Sequence, residues 1–276
     1  MTQDTTAPSQ DTAPSLGDMV KALTPEATDS ATRYSGRISP SWMQGRTAFG
    51  GITAALALAA TRKARPDLPK LRSMQVSFLR PISEEVAFEV TAIREGRSSS
   101  FFQVDAISDG KTGARCTFVF GADRDSAIVH DYGQAPALPD PDALPDLVRR
   151  SKAPSFFSNF QARVADGDPL ISGSARPEVL VWSRLAVRDG IDPEIAFICN
   201  ADSLPPAAMT TFTVPAPIST ITWSLDMARC PADLDWTLTR TTSKQASDGY
   251  SVQDMEIRAR DGSLLASAQQ MVALFA

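Results

Sequence analysis

The chain has 276 residues, of which 43% are hydrophobic, and its formal net charge is −5 at pH 7. This length suffices for one large domain or two of ordinary size, with a substantial apolar core. An acidic chain argues against a nucleic-acid partner, because binding phosphates requires a basic surface. No apolar run approaches the length of a membrane span.

Cysteine and histidine usage limits the possible chemistry. The three cysteines, Cys116, Cys199 and Cys230, lack the spacing of a metal site. An odd number of cysteines without a secretion signal predicts reduced thiols and a cytoplasmic location. The single histidine, His130, lies beside Asp131 in a polar stretch and is expected on the surface. One histidine excludes a multi-histidine metal site and disfavours a Ser-His-Asp triad.

A buried helix is predicted after an N-terminal tail. Residues 1–30 are acidic and rich in Thr, Pro and Ser, a composition that predicts disorder. The segment from Phe49 to Arg65 then has apolar residues at helical spacing, begins with two adjacent glycines and is stopped by Pro66. Because small alanines dominate this helix, a neighbouring sheet can approach it closely.

Four alternating segments complete a first structural unit, residues 31–125. They carry apolar residues at every second position, as strands of an antiparallel sheet do; they are Leu71–Pro81, Val86–Ala92, Ser98–Ser108 and Gly113–Gly121. Residues 126–174 contain six prolines with many Asp and Ser, which predicts a linker. A short amphipathic helix is expected in the linker near Leu144–Arg150.

The pattern returns in residues 175–276 as a second copy of the first unit. Asp192 followed by Pro193 is typical of a helix start, and Asp261-Gly262 repeats the hairpin turn at Asp109-Gly110. The sequence therefore predicts two units, each a helix with an antiparallel sheet, joined edge to edge. The second set of strands is Arg176–Arg184, Ser219–Ala228, Trp236–Arg240, Tyr250–Arg260 and Leu265–Leu274.

An acidic residue interrupts the apolar stripe of the second helix. Ile195, Ile198 and Cys199 define the stripe, and Asp202 is the next residue on it. At this position the carboxylate would face the core at the C-terminal end of the helix, where the helix dipole disfavours negative charge. The alternative is that the helix ends earlier and that Asp202 is a loop residue.

Two further polar residues depart from the pattern of their strands. Gln270 lies on the apolar face of the last strand, where the first unit has Phe118. It is either a hydrogen-bonded structural residue or part of a site. Thr220 lies on the polar face of its strand, opposite the face of Trp223, and that polar face could simply be solvated. Thr220 becomes a candidate only if it converges on Asp202 and Gln270.

The two units resemble the acyl-CoA thioesterase II (TesB-like) family from about Arg33 to the C-terminus. The motifs of the first unit are FGG, SMQVSFLRP and REGRSSSFFQV, and those of the second are NADSLPP, ISTITWSLDM, SDGY and DGSLLASAQQ. Their order and spacing across both units make the similarity specific. It implies an α+β double hot-dog fold, in which two tandem antiparallel sheets each wrap around a central helix.

In that family an Asp, a Thr or Ser, and a Gln position and activate the water that attacks a thioester. The matching residues here are Asp202, Thr220 and Gln270. The resemblance implies an acyl-CoA thioesterase without a metal or organic cofactor, a homo-oligomer with no nucleic-acid or membrane partner. The first unit, with Phe118 in place of the Gln, is expected to be a degenerate scaffold that walls the acyl pocket. Many members have Asp two residues after the Thr, where this chain has Thr222.

The residue types suit thioester hydrolysis. The reaction needs an oriented water, a group that takes its proton and donors for the developing oxyanion. A partly desolvated Asp202 would have a raised pKa and be the better base. One alternative is a hot-dog hydratase or dehydratase, which would use an Asp/His or Glu/His pair, although His130 lies in the linker. The other is a non-catalytic acyl-thioester binding protein.

Overall fold

The computed structural model describes residues 13–26, 32–131, 133, 137–147 and 153–276. Its α-helices are α1 (Leu16–Ala22), α2 (Gly50–Ala64) and α3 (Pro193–Ala201). The earlier strands are β1 (Thr24–Glu26), β2 (Thr32–Arg37), β3 (Met43–Gln44), β4 (Thr47–Ala48), β5 (Leu71–Phe78), β6 (Glu85–Glu95), β7 (Ser99–Ser108) and β8 (Lys111–Gly121). The later strands are β9 (Phe160–Gly167), β10 (Glu178–Leu185), β11 (Ile218–Met227), β12 (Thr237–Ser247), β13 (Tyr250–Ala259) and β14 (Leu264–Leu274). None of the helices in these described ranges is long and apolar enough to cross a membrane.

Twelve strands form one continuous sheet, in the order β1-β2-β6-β7-β8-β5-β11-β14-β13-β12-β10-β9. Strands β5 and β11 pair antiparallel in the middle, so the sheet has an N-terminal half and a C-terminal half with matching strand order. The prediction of two sheets joined edge to edge is confirmed, and so is the α+β class. Pairing the two edges satisfies backbone groups that separate sheets would leave open.

Helix α2 is buried along nearly its whole length. Its residues from Gly51 to Thr61 are all shielded from solvent. The helix contacts strands β6, β7 and β8, together with helices α1 and α3. Alanine side chains allow this close approach on several sides, as the composition of the segment predicted.

Helices α2 and α3 run antiparallel, so opposite ends of the two helices meet. At the N-terminal end of α2, a Cβ on Gly51 would lie 2.5 Å from the carbonyl oxygen of Cys199, so only glycine fits there. At the other end, the Arg62 guanidinium forms an ion pair of 2.6 Å with the buried Glu194. The second carboxylate oxygen of Glu194 accepts the backbone N–H of Leu71. Both ends of α2 are therefore fixed against α3.

The predicted disorder of residues 1–30 is wrong for residues 13–26. Ser15 caps α1 in a capping box, and Leu16 and Met19 are buried against the core. Strand β1 then pairs with β2 at the edge of the sheet. A short capped helix becomes stable when its apolar side chains join an existing core, which the average composition of the tail does not reveal. The remainder of the predicted tail lies outside the described residues.

The predicted linker, residues 126–174, contributes a strand to the sheet. Strand β9 pairs antiparallel with β10, and the Phe156 ring stacks on Phe49 with centroids 4.2 Å apart. Aromatic burial therefore anchors a segment that its prolines suggested would be free. The predicted helix near Leu144–Arg150 is absent from residues 144–147, and residues 148–150 lie outside the described part of the chain.

Candidate active site

Asp202 stands immediately after the last residue of α3. Asp192 caps the first turn of this helix, as predicted, and the helix ends at Ala201. The Asp202 side chain nevertheless turns into the protein, and the residue is only partly exposed. The helix thus ends before Asp202, as the loop alternative required, yet the carboxylate faces inward, as the stripe predicted.

Two donors from distant parts of the chain hold the Asp202 carboxylate. The Gln270 Nε2 donates to Asp202 Oδ1 at 2.6 Å, and the backbone N–H of Gly51 donates as well. Because Gly51 belongs to the first turn of α2, the N-terminal unit contributes directly to this site. A Cβ on Gly50 would lie 2.6 Å from Asp202 Oδ2, which explains the paired glycines at the start of that helix.

Burial sets the protonation of Asp202. Loss of hydration raises the pKa of Asp202 from its ordinary value of 3.8 to about 7, while the hydrogen bonds from Gln270 and Gly51 oppose this increase. The C-terminal end of α3 disfavours the carboxylate, whereas the N-terminal end of α2 favours it. The group therefore changes its protonation state near neutral pH, where a general base is most effective.

Gln270 is buried in β14 between two partners on adjacent strands. Trp223 of β11 is opposite it on one side, and Gln253 of β13 is opposite it on the other. The equivalent strand of the N-terminal half, β8, carries Phe118, which is fully buried opposite Phe102. The prediction that Phe118 is a core residue is therefore confirmed. Of the two equivalent positions, only Gln270 in the C-terminal half carries an amide.

Gln253 is a buried polar residue that was absent from the sequence prediction. Its Nε2 donates to Gln270 Oε1 at 2.9 Å, and its Oε1 accepts the backbone N–H of Ala207 at 2.7 Å. The sequence did contain a signal, because Gln253 shares the buried face of β13 with Met255 and Ile257. A polar residue on an apolar strand face is the same criterion that identified Gln270.

A β-bulge changes the face on which Thr220 lies. The register of β11 with β14 shifts at Ile221, an extra residue in β11. Beyond the bulge Thr220 is opposite Val272, while Trp223 is opposite Gln270. Since Val272 and Gln270 are two residues apart and share a face, Thr220 faces the same side as Gln270. The prediction that Thr220 and Trp223 lie on opposite faces is wrong, because uninterrupted alternation does not anticipate a bulge.

The structure thus brings Asp202 and Gln270 into contact and puts Thr220 on their side of the sheet. Within the described residues, no hydrogen bond joins the Thr220 hydroxyl to either of the other two side chains. Gly50, Asp202 and Thr220 are each partly exposed, so solvent reaches this region. Thr222 pairs with Met271 and is exposed on the opposite face.

Other chemistry-bearing groups lie apart from this cluster. Across the ranges that the structure describes, no group of three or more His, Cys, Asp or Glu side chains is arranged to hold a metal ion. His130 is exposed, as predicted. Cys116 and Cys199 are buried, Cys230 is partly buried, and all three thiols are free.

Solved structures share this architecture over almost the whole chain. A conserved hot dog fold protein from Alicyclobacillus acidocaldarius is 25% identical, with a TM-score of 0.83, and the match covers 94% of this chain and 98% of that one. The tesB protein of Mycobacterium avium subspecies paratuberculosis is 21% identical, with a TM-score of 0.77 and coverage of 95% and 100%. Acyl-CoA thioesterase II TesB2 from Mycobacterium marinum is 21% identical, with a TM-score of 0.73 and coverage of 94% and 98%. The chain is therefore a double hot-dog protein.

Family profiles identify both units. A search of curated proteins finds no match. The profile of the acyl-CoA thioesterase N-terminal domain, however, matches residues 38–121, and that of the C-terminal domain matches residues 133–274. The chain belongs to the acyl-CoA thioesterase family and is a thioester hydrolase. The resemblance to thioesterase II (TesB-like) proteins is confirmed.

Proposed function

We propose that the protein hydrolyses an acyl-CoA to a free acid and CoA, by attack of a water that Asp202, Thr220 and Gln270 position. The observation that carries this proposal is the Asp202 carboxylate, whose pKa is about 7 and which Gln270 and Gly51 hold in place. Among the described residues no cation pairs with Asp202. A carboxylate that is largely removed from water and has no cation beside it destabilises a fold, so a chemical role is the better explanation for Asp202.

The reaction has two proton transfers, both through Asp202. The ionised carboxylate takes a proton from the water as the water oxygen bonds to the thioester carbonyl carbon. The tetrahedral intermediate then expels the CoA thiolate as its carbon–sulfur bond breaks, and the thiolate takes the proton from the Asp202 carboxyl group. A thiol has a pKa of about 8.5, so strong acid assistance is unnecessary. One water is consumed, and Asp202 returns to its ionised form.

The other groups have separate tasks in this scheme. Gln270 uses one N–H to hold Asp202, and its second N–H remains for the water or the thioester carbonyl. The Thr220 hydroxyl can both accept from and donate to the water. In the first turn of α2 the Gly51 N–H already donates to Asp202, whereas Gly50, the first residue of the helix, is partly exposed and offers its N–H to the developing oxyanion.

A panel of acetyl-, hexanoyl-, palmitoyl-, benzoyl- and crotonyl-CoA tests the proposal, with released CoA measured by a thiol reagent. We expect thiol release from at least one of these substrates, and its near-complete loss in Asp202→Asn. Hydration of crotonyl-CoA without thiol release would support a hydratase instead. Binding without any turnover would support a non-catalytic protein, and either result contradicts the proposal. Light scattering tests the homo-oligomer, which stays a prediction.

A further inference from the structure

Three consecutive hydrogen bonds, the first two of them buried, connect the segment after α3 to the Asp202 carboxylate. The backbone N–H of Ala207 donates to Gln253 Oε1 at 2.7 Å, and Gln253 Nε2 donates to Gln270 Oε1 at 2.9 Å. Gln270 Nε2 then donates to Asp202 Oδ1 at 2.6 Å. Gln253 and Gln270 are 1% and 5% exposed, so bulk water does not compete for their amide groups.

The first donor sets the direction of all three bonds. A backbone N–H can only donate, so Gln253 must turn its oxygen to Ala207 and its NH2 group to Gln270. Gln270 must then accept with its oxygen and present its own NH2 group to Asp202. A Gln amide has nearly the same shape after a flip, so shape alone does not select this orientation. In the flipped state Gln270 Oε1 would face the carboxylate, and two acceptors would repel each other.

The two halves of the sheet differ at this pair of residues. Gln253 lies directly opposite Gln270 between β13 and β14, whereas the equivalent pair between β7 and β8 is Phe102 opposite Phe118. The fold therefore tolerates an apolar pair at this position. Burying two amides there costs more desolvation free energy than burying two aromatic rings. The amide pair occurs in the half that contains Asp202, which favours a role in the site.

We propose that Gln253 is a positioning residue that holds the Gln270 amide with its NH2 group towards Asp202. This inference rests on the proposed function, because it concerns the orientation of one of the three residues assigned to the attacking water. Gln253 contacts no reacting atom in that scheme and acts through Gln270. Through Ala207 it also ties the Gln270 amide to the 3-10 helix Ala207–Thr211.

Gln253→Met tests the positioning role, because Met has a similar length and makes neither hydrogen bond. On the member of the acyl-CoA panel with the highest kcat/KM, we expect kcat to fall roughly 10- to 100-fold, because the Gln270 amide becomes free to flip. KM should change by less than about threefold. The apparent pKa of the kcat profile should rise, because the hydrogen bond from Gln270 lowers the pKa of Asp202. The loss of kcat relative to the wild type should therefore be largest at low pH.

Gln253→Glu should show the opposite trend with pH. An ionised Glu can accept from Ala207 but cannot donate to Gln270, whereas a protonated Glu can do both. The ratio of variant to wild-type kcat should therefore fall as the pH rises from about 6 to about 9. A merely structural role for Gln253 would not produce opposite trends in the two variants. If Gln253→Met does not fold, the trend in Gln253→Glu decides the question.

Ser251→Ala is the matched control. Ser251 is buried two residues away on the same strand, and its hydroxyl lies 2.8 Å from that of Ser243. Losing this bond should lower the melting temperature and leave kcat and its pH profile unchanged. In a Gln270→Met background, adding Gln253→Met should cause no further loss of kcat, because no amide is left to position.

The proposal is overturned if Gln253→Met keeps the wild-type kcat and pH profile, or if Ser251→Ala loses as much activity. Asp202→Asn, measured on the same substrate, distinguishes this result from failure of the proposed function. Full kcat in Asp202→Asn refutes both proposals. An inactive Asp202→Asn beside a fully active Gln253→Met refutes the positioning role alone.

Discussion

Replacing Asp202 by Asn tests the role of this partly buried carboxylate. Asn keeps the shape of the side chain and cannot take a proton, so we expect kcat to fall by roughly 10²–10⁴, the usual span for losing a general base. Substrate binding should change little. In the wild type, kcat should rise with pH, reach half its maximum near pH 7 and level off about one pH unit higher, because the base works only when ionised and its pKa is about 7.

The same substitution should change how stability depends on pH. The pKa of Asp202 is about 7 in the folded protein against an ordinary 3.8, so the folded state holds this proton more tightly than the unfolded chain. Its contribution to wild-type stability is complete below about pH 4 and is lost as the pH rises to about 7. At about 1.4 kcal/mol per pH unit, the whole loss is at most roughly 4 kcal/mol, of which roughly 2–3 kcal/mol falls between pH 5 and pH 8.

Asp202→Asn lacks this loss, because its amide does not titrate. Its single oxygen leaves one of the two donors, Gln270 or Gly51, without a full acceptor. This loss should lower the free energy of unfolding by about 1–3 kcal/mol at every pH. We therefore compare the melting temperature of the variant with that of the wild type at each pH. The difference, variant minus wild type, should increase by several degrees from pH 5 to pH 8, because each kcal/mol of stability corresponds to about 2–4 °C. Thermal melting over this pH range, together with kcat on the best panel substrate, measures both effects.

Asp226→Asn is the matched control, because it removes a carboxylate that is not part of the candidate site. Asp226 is exposed in β11, so this variant should keep the wild-type kcat and the wild-type dependence of melting on pH. Full kcat in Asp202→Asn, or a loss of activity that is explained entirely by unfolding, would refute the catalytic assignment. A melting difference that does not change with pH would refute the raised pKa.

Three further outcomes are expected. Thr220→Val and Gln270→Ala should each lower kcat less than Asp202→Asn does, and steady-state kinetics of the combined variants should show less than additive losses, because the three residues act as one unit. Phe118→Gln should lower stability by about 2–4 kcal/mol in chemical denaturation and create no second site, because the residue opposite it is Phe rather than Gln; doubled turnover would contradict this. Deleting residues 1–22 should lower the melting temperature, since α1 buries apolar side chains, whereas deleting residues 1–12 should have a smaller effect; equal melting of both truncations would contradict this.

The sequence by itself determined the elements and the repeat. Helical spacing and alternating apolar residues are local properties, so α2, α3 and the paired strands could be assigned without knowledge of their neighbours. The comparison of the two copies also marked Gln270, because a Gln stood where the other copy has Phe118. An acid on an apolar stripe marked Asp202 in the same way. Both signals are a polar residue on an otherwise apolar face, which can be recognised from the neighbouring sequence alone.

Tertiary structure decided how those residues meet. The bulge at Ile221 turned Thr220 to the side of Gln270, and the Gly51 N–H reached Asp202 from a helix about half the chain away. The pairing of β13 with β14 added Gln253 to the same set of hydrogen bonds. Register, bulges and contacts between distant segments depend on packing across the whole sheet, so no local periodicity encodes them. For the same reason the sequence did not predict that α1 and β9 are structured. Helix α1 packs against the core and β9 pairs with β10, and both contacts depend on distant parts of the chain.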